Sequence, residues 1–318
     1  MKNAHKNSTT VRSSKTTPTD RLSRGFVYGL SRGLRALDAI APALATRLAS
    51  TLFVTPPTRR SHRTATARAS AALPLMQRFK ITCESKQLWA YSFGGLAQSK
   101  PIVLLVHGWG GYGLQFAGLI PALVEAGFRV VTVDMPAHGA SPGRTTNAFE
   151  FRAAIQTLAK QVGQPTGVIA HSFGAMPTAL AMRDGLEPAF SVFLAPMTSF
   201  RFAMDAFAAQ LQLPEALKQR TADHFEQRFG ISRAGLELAE RSSAHGVPLM
   251  IVHDHEDSRV PIALGRALAE AWPGAELLAT RGLGHVRVLS DARVTERVVA
   301  FTRSHGMLGA YPERAGAA

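Results

Sequence analysis

Cysteine is almost missing from this chain. Cys83 is the only one in 318 residues, which excludes an intramolecular disulfide and any zinc site built on several thiolates. Acidic residues are scarce at one end: residues 1–80 carry 15 Lys/Arg and 2 Asp/Glu, whereas residues 81–318 carry 21 and 20. The formal charge of +14 therefore belongs to the N-terminal segment, and the remainder is nearly neutral. A polyanion-binding role argued from net charge does not extend beyond that segment. The basic stretch has no interleaved aromatics and no recognised motif, so nucleic acid is not an expected partner. No short period recurs, which excludes solenoids and collagen. Membrane-length apolar runs are also lacking. Residues 101–124 and 161–182 contain no Lys, Arg, Asp or Glu, but glycines break the first and a strand–turn–helix pattern breaks the second. The basic start leads into no compact apolar stretch with a small-residue cleavage site, so no signal peptide is expected and a cytoplasmic location fits.

What is present is aliphatic: 46% of the residues are hydrophobic, enough for a sizeable core. Residues 1–20 are Lys, Ser, Thr and Asn with little to bury and read as a disordered basic tail. Residues 21–78 read as an amphipathic helical segment and linker. Leu30, Leu34, Leu37, Ala41, Leu44, Leu48 and Leu52 recur at steps of three and four, which is one helical stripe. Pro42 lacks an N–H and clashes with the preceding turn, so two helices should meet near Ala41-Pro42. The stripe can dock on the rest of the protein, or it can lie on an anionic membrane surface as a peripheral attachment.

From Phe79 the chain alternates between short apolar runs and helical windows. Phe79–Cys83 and Leu88–Ser92 read as an antiparallel hairpin. Pro101–His107, Arg129–Asp134, Gly167–His171, Phe190–Ala195 and Leu249–His253 read as strands buried on both faces, with a shorter candidate at Ala275–Ala279. Helices are predicted at Leu114–Ala126, Phe149–Val162, Phe173–Asp184, Ile262–Ala271 and Val286–Arg303. The class is α/β over residues 79–318: a mostly parallel twisted sheet with helices on both faces. Residues 198–246 interrupt the alternation with a Phe-rich helical stretch (Phe200, Phe202, Phe207, Phe225, Phe229) and should form a small cap above the strand ends.

Four short segments carry the chemistry. Ala170-His171-Ser172-Phe173-Gly174 follows a strand and opens a helix. His107-Gly108-Trp109-Gly110-Gly111 ends a buried strand. Asp254-His255-Glu256-Asp257-Ser258-Arg259-Val260-Pro261 follows another, and Gly282-Leu283-Gly284-His285 precedes the last helix. Together and in this order they resemble the serine-nucleophile, esterase- and lipase-like branch of the α/β-hydrolase fold family. The resemblance covers residues 79–305. It implies Ser172 as nucleophile on a strained elbow, with Gly174 and Ala170 as its small neighbours; Ala170 stands where the family usually has glycine. It implies oxyanion-hole N–H groups from Trp109 and Phe173, with His107 and Gly108 as the supporting loop. It implies His285 as general base and, from the carboxylate two residues before Val-Pro, Asp257 as the acid that orients it. Asp254 and Glu256 stay open as competitors for that last role. The segment Asp134–Ser141, with Ala137 in place of a common glycine, reads as a structural loop beneath the site.

The expected activity is hydrolysis of a carboxylic ester or thioester through an acyl-enzyme, with no cofactor and no metal, on a small acyl substrate. Amide, peptide or C–C cleavage on the same triad, or a non-catalytic surface-binding role for the fold, are the alternatives.

Overall fold

The computed structural model describes residues 18–57, 73, 76–95, 100–241 and 246–306. Eight strands form one sheet: β1 (Gln77–Cys83), β2 (Lys86–Phe93), β3 (Ile102–Val106), β4 (Arg129–Val133), β5 (Gly167–His171), β6 (Phe190–Leu194), β7 (Leu249–Asp254) and β8 (Glu276–Thr280). Their order is β1-β2-β4-β3-β5-β6-β7-β8. The pairs β1–β2 and β2–β4 are antiparallel, and every later pair is parallel. The strand order reverses at β3, so the C-terminal ends of β3 and β5 lie side by side, Val106 opposite Ala170. That is where an open α/β sheet leaves a crevice for a ligand. The four central parallel strands β3, β5, β6 and β7 are buried at every position, as helices on both faces require.

The helices are α1 (Pro18–Ile40), α2 (Pro42–Phe53), α3 (Ile120–Glu125), α4 (Ala148–Val162), α5 (Ala175–Arg183), α6 (Phe200–Leu211), α7 (Glu215–Phe229), α8 (Leu238–Arg241), α9 (Ile262–Ala271), α10 (Gly284–Arg287) and α11 (Ala292–Gly306). Two predicted helices are divided. The Leu114–Ala126 window holds a 3-10 turn at Gly113–Phe116 and then α3. Pro121, at the start of α3, has no N–H to offer the preceding turn, so a new helix begins there. The Val286–Arg303 window is split after Arg287, and Asp291 restarts it by accepting the backbone N–H groups of Arg293 and Val294, both at 3.1 Å. In the expected tail, residues 1–17 lie outside the described residues, whereas Pro18–Asp20 already belong to α1. Residues 58–72 of the expected linker also lie outside.

The N-terminal helices dock on the cap. They meet at Ala41, and Pro42 opens α2. Leu34, Ala45 and Ala49 are buried against Leu211 and Leu217 of α6 and α7, and Asp38 pairs with Arg220 of α7. The leucine stripe does not stay on one face. Leu44 and Leu48 are 55% and 40% exposed, because the chain turns at Pro42 and α2 presents a different side to the cap. Past α2, the carbonyl of Val54 accepts the Thr146 N–H at 2.8 Å, which ties this segment to the loop before α4.

Leu217→Ala should therefore cost about 3 kcal/mol of stability, read by urea unfolding of the full chain. Leu44→Ala, at an exposed position, should change it by less than about 0.5 kcal/mol.

Candidate active site

β5 leads into the site through a strained turn. Ser172 has φ +54°, a left-handed conformation that a non-glycine residue holds only when its surroundings enforce it. Two close approaches enforce it here. A Cβ on Gly174 would lie 2.7 Å from the Val106 carbonyl oxygen and 2.8 Å from that of His107. A Cβ on Gly108 would lie 2.9 Å from the Ser172 Cβ. The turn and the loop after β3 can touch only because both residues are glycine.

That loop is pinned on its far side. The His107 Nδ1 lies 2.8 Å from the Gly108 carbonyl, and its Nε2 accepts the Met135 N–H at 3.0 Å. His138 Nε2 accepts the Gly110 N–H at 2.9 Å. The Trp109 and Phe173 rings meet edge to face at 5.3 Å. The Asp134–Ser141 loop is structural. Asp134 accepts the N–H groups of Gly113 and Ala140 and the Tyr91 hydroxyl. Ala137 there holds φ +64°, a conformation that favours the glycine it replaces.

The other two groups arrive from the ends of β7 and β8. His285 Nε2 is 2.9 Å from Ser172 Oγ, and His285 Nδ1 is 2.7 Å from Asp257 Oδ2. Asp257 also accepts the backbone N–H groups of Arg259 and Val260 on Oδ1, both at 2.9 Å. His253 lies on its other side, 3.5 Å from Oδ2. Burial raises the Asp257 carboxyl pKa, but hydrogen bonds from His253, His285, Val260 and Arg259 outweigh it and hold the group well below the usual carboxylate range. Asp254 is occupied elsewhere: it accepts the Thr280 hydroxyl and the N–H groups of Glu256 and Leu283. It locks the two loops together and does not reach His285. Glu256 is exposed.

Two features were not foreseen in the sequence. The first is His171, the residue before Ser172. Its Nε2 is 3.0 Å from the His285 carbonyl and its Nδ1 is 3.2 Å from the Gln115 amide nitrogen. A neutral ring satisfies both, donating from Nε2 and accepting at Nδ1. Burial first, and then the neighbouring His285, push its pKa down to about 3. The second is the N-terminal segment. A cavity of about 310 Å³ opens from Ser172 beneath the cap, and Phe53 and Val54 form part of its wall. Three of the five cap phenylalanines, Phe200, Phe207 and Phe225, face the same cavity. Phe53 meets each of the three edge to face, with centroids 5.2–5.7 Å apart. No local pattern could reveal a contact between residue 53 and residue 207.

Three comparisons place this geometry among known proteins. Residues 103–245 match the model of the Alpha/beta hydrolase family. A pimeloyl-[acyl-carrier protein] methyl ester esterase from Methylococcus capsulatus is 26% identical over 241 residues, covering 63% of this chain and 93% of the relative. One from Neisseria meningitidis is 24% identical over 229 residues, covering 60% and 88%. Among solved structures, an esterase from Pyrococcus furiosus superposes with a TM-score of 0.59 at 20% identity, covering 79% of this chain and 98% of that one. A naproxen esterase from Bacillus subtilis does so with 0.56 at 17% identity, covering 76% and 96%.

The depressed groups set the acid response of the fold. His171 ionises near 3 when folded and near 6.5 when free. Below pH 6.5 the unfolded chain takes up a proton that the folded one refuses, so this contribution is complete above 6.5 and lost progressively down to about 3. Asp257 acts lower, with stability present above its ordinary value and lost as pH falls below about 3.8. His171→Gln should flatten the loss of stability between about pH 6.5 and 4, measured as the urea midpoint at each pH.

Proposed function

We propose that this chain, which has the α/β-hydrolase fold, is a serine hydrolase that cleaves carboxylic esters through an acyl-enzyme. The observation that carries this reading is the relay from Asp257 Oδ2 through His285 to Ser172 Oγ, with spacings of 2.7 and 2.9 Å. Ser172 attacks the ester carbon while His285 Nε2 takes its proton. Asp257 fixes the tautomer that leaves Nε2 free to accept, and stabilises the imidazolium that results. The carbonyl oxygen gains negative charge beside the Trp109 and Phe173 N–H groups, each worth roughly 3 kcal/mol to such a transition state. His285 then returns the proton to the departing alcohol, and water repeats the sequence to release the acid.

The Phe-lined cavity suits an apolar acyl chain. Each methylene buried in it would be worth about 0.8 kcal/mol, so activity should depend on chain length. The named relatives act on an acyl-carrier-protein ester, which accords with an acyl substrate. Ser172→Ala and His285→Ala should each lower kcat by at least about 10³-fold, and Asp257→Asn by about 10²–10⁴-fold. Asp254→Asn should mainly lower stability. A panel of p-nitrophenyl esters of graded length checks these, with matching thioesters and anilides to identify the bond. A greater loss in Asp254→Asn than in Asp257→Asn would reverse the assignment of the acid.

A second reading, attachment to an anionic membrane surface, rests on one observation. Five of the six large apolar side chains exposed among the described residues sit on α1 and α2: Phe26, Tyr28, Ile40, Leu44 and Leu48, with Ile40 82% exposed. Arg32, Arg35 and Arg47 are exposed on the same helices. Among the described residues no helix is long and apolar enough to cross a membrane, so contact would be interfacial. The protein should sediment with vesicles containing phosphatidylglycerol and much less with phosphatidylcholine alone. Ile40→Asp with Leu44→Asp should weaken this by more than about tenfold. Equal binding to both vesicles, or a dimer abolished by the same substitutions, would overturn it.

A further inference from the structure

Ser172 lies at the junction of two cavities. The first is the apolar pocket beneath the cap. The second, about 270 Å³, runs along the loop after β3 and past Gln115, His171, His285 and Leu289. Only three residues line both: Trp109, Ser172 and Arg259. His285 lines the second and not the first.

That asymmetry assigns the two cavities. The leaving alcohol or thiol must take its proton from His285, so it has to sit on the side that His285 faces. The acyl chain is left with the apolar pocket. Arg259 stands between them and, among the described residues, is the only Lys, Arg, Asp or Glu on either wall. Its backbone N–H donates to Asp257 Oδ1 at 2.9 Å, so its main chain is held by the same carboxylate that orients His285. Its guanidinium makes no ion pair with any described residue, and the side chain is exposed at the mouth. A guanidinium is a planar donor matched to carboxylate and phosphate oxygens, and one with no ion-pair partner among the described residues is ready to take its anion from the substrate.

We infer that Arg259 is a specificity-determining residue that binds an anionic group, a carboxylate or a phosphate, on the alcohol or thiol portion of the substrate. The inference rests on the serine-hydrolase reading of the site and adds the chemical class of the leaving group. The substrate is then two-faced: an apolar acyl chain under the cap, and an anionic leaving group in the open cleft. Among the described residues no second Lys, Arg, Asp or Glu lines either cavity, so a single substitution should reset the preference.

The test uses the full chain and butyrate esters of four alcohols: phenol, 4-hydroxybenzoate, 4-hydroxyphenyl phosphate and 3-hydroxyphenyl-trimethylammonium. Each kcat/KM is divided by that of the phenyl ester in the same protein, which cancels any general loss of activity. In Arg259→Glu the ratio for the anionic esters should fall at least about tenfold relative to the unsubstituted enzyme, through KM, and the ratio for the cationic ester should rise. Arg259→Gln should lower the anionic ratios without raising the cationic one. The preference of the unsubstituted enzyme should shrink as ionic strength rises from about 0.02 to 0.5 M. The larger fall, in the benzoate or the phosphate ester, identifies which anion the arginine serves. Ratios that stay within about twofold in Arg259→Glu, while the phenyl ester is still turned over, would overturn the inference and leave the hydrolase reading intact. Absence of phenyl-ester turnover and of fluorophosphonate labelling at Ser172 in the unsubstituted protein would overturn both.

Discussion

The close approach between the end of β3 and the turn after β5 governs this molecule. At Gly108 and Gly174 backbone meets backbone with no room for a side chain, and Ser172 takes its left-handed conformation between them. Once that contact is made, the rest of the site follows from sheet geometry. Parallel strands deliver their C-terminal ends to one edge, so loops after β7 and β8 bring a carboxylate and an imidazole to a serine that follows β5. The hydrogen bonds around Asp257, His107 and His138 hold in place what that contact and the strand order have already brought together.

A run of neutral or hydrogen-bonded groups surrounds the reacting atoms. His171 carries no proton charge at neutral pH, being buried and beside a second imidazole. Asp257 is held ionised by four hydrogen bonds that burial alone would oppose. The site therefore keeps a fixed negative charge beneath His285. Asp254 keeps its place by occupation. With Thr280, Leu283 and Glu256 already donating to it, its carboxylate stabilises the loops and leaves the catalytic geometry to its neighbour.

What could be read in advance follows the range of the interactions. The central strands β3, β5, β6 and β7 were legible because each is a continuous apolar run, and Ser172 and Asp257 because each follows such a run; β8 is partly exposed, and His285 stood out by the glycines before it. Those are local signals. Where two helical windows proved to be divided, at Pro121 and at Asp291, the break lay in single residues whose effect a periodicity average dilutes. The leucine stripe of the N-terminal segment was visible, but the turn at Pro42 parted it into a docked portion around Leu34 and an exposed portion at Leu44 and Leu48. Phe53 and His171 could not be found from sequence. Their importance lies in partners 154 and 114 positions away, Phe207 and His285, and nothing in their neighbourhoods distinguishes them from ordinary packing residues.

The position of Phe53 and Val54 has a consequence for how the protein comes into being. A boundary drawn where the sheet begins would discard them, yet they close one side of the cavity beneath the cap. During synthesis Phe53 emerges 147, 154 and 172 residues before Phe200, Phe207 and Phe225. The wall beneath the cap is therefore closed by two stretches that are far apart in the chain, and a fragment that begins at β1 would keep the whole sheet and still leave that cavity open on one side.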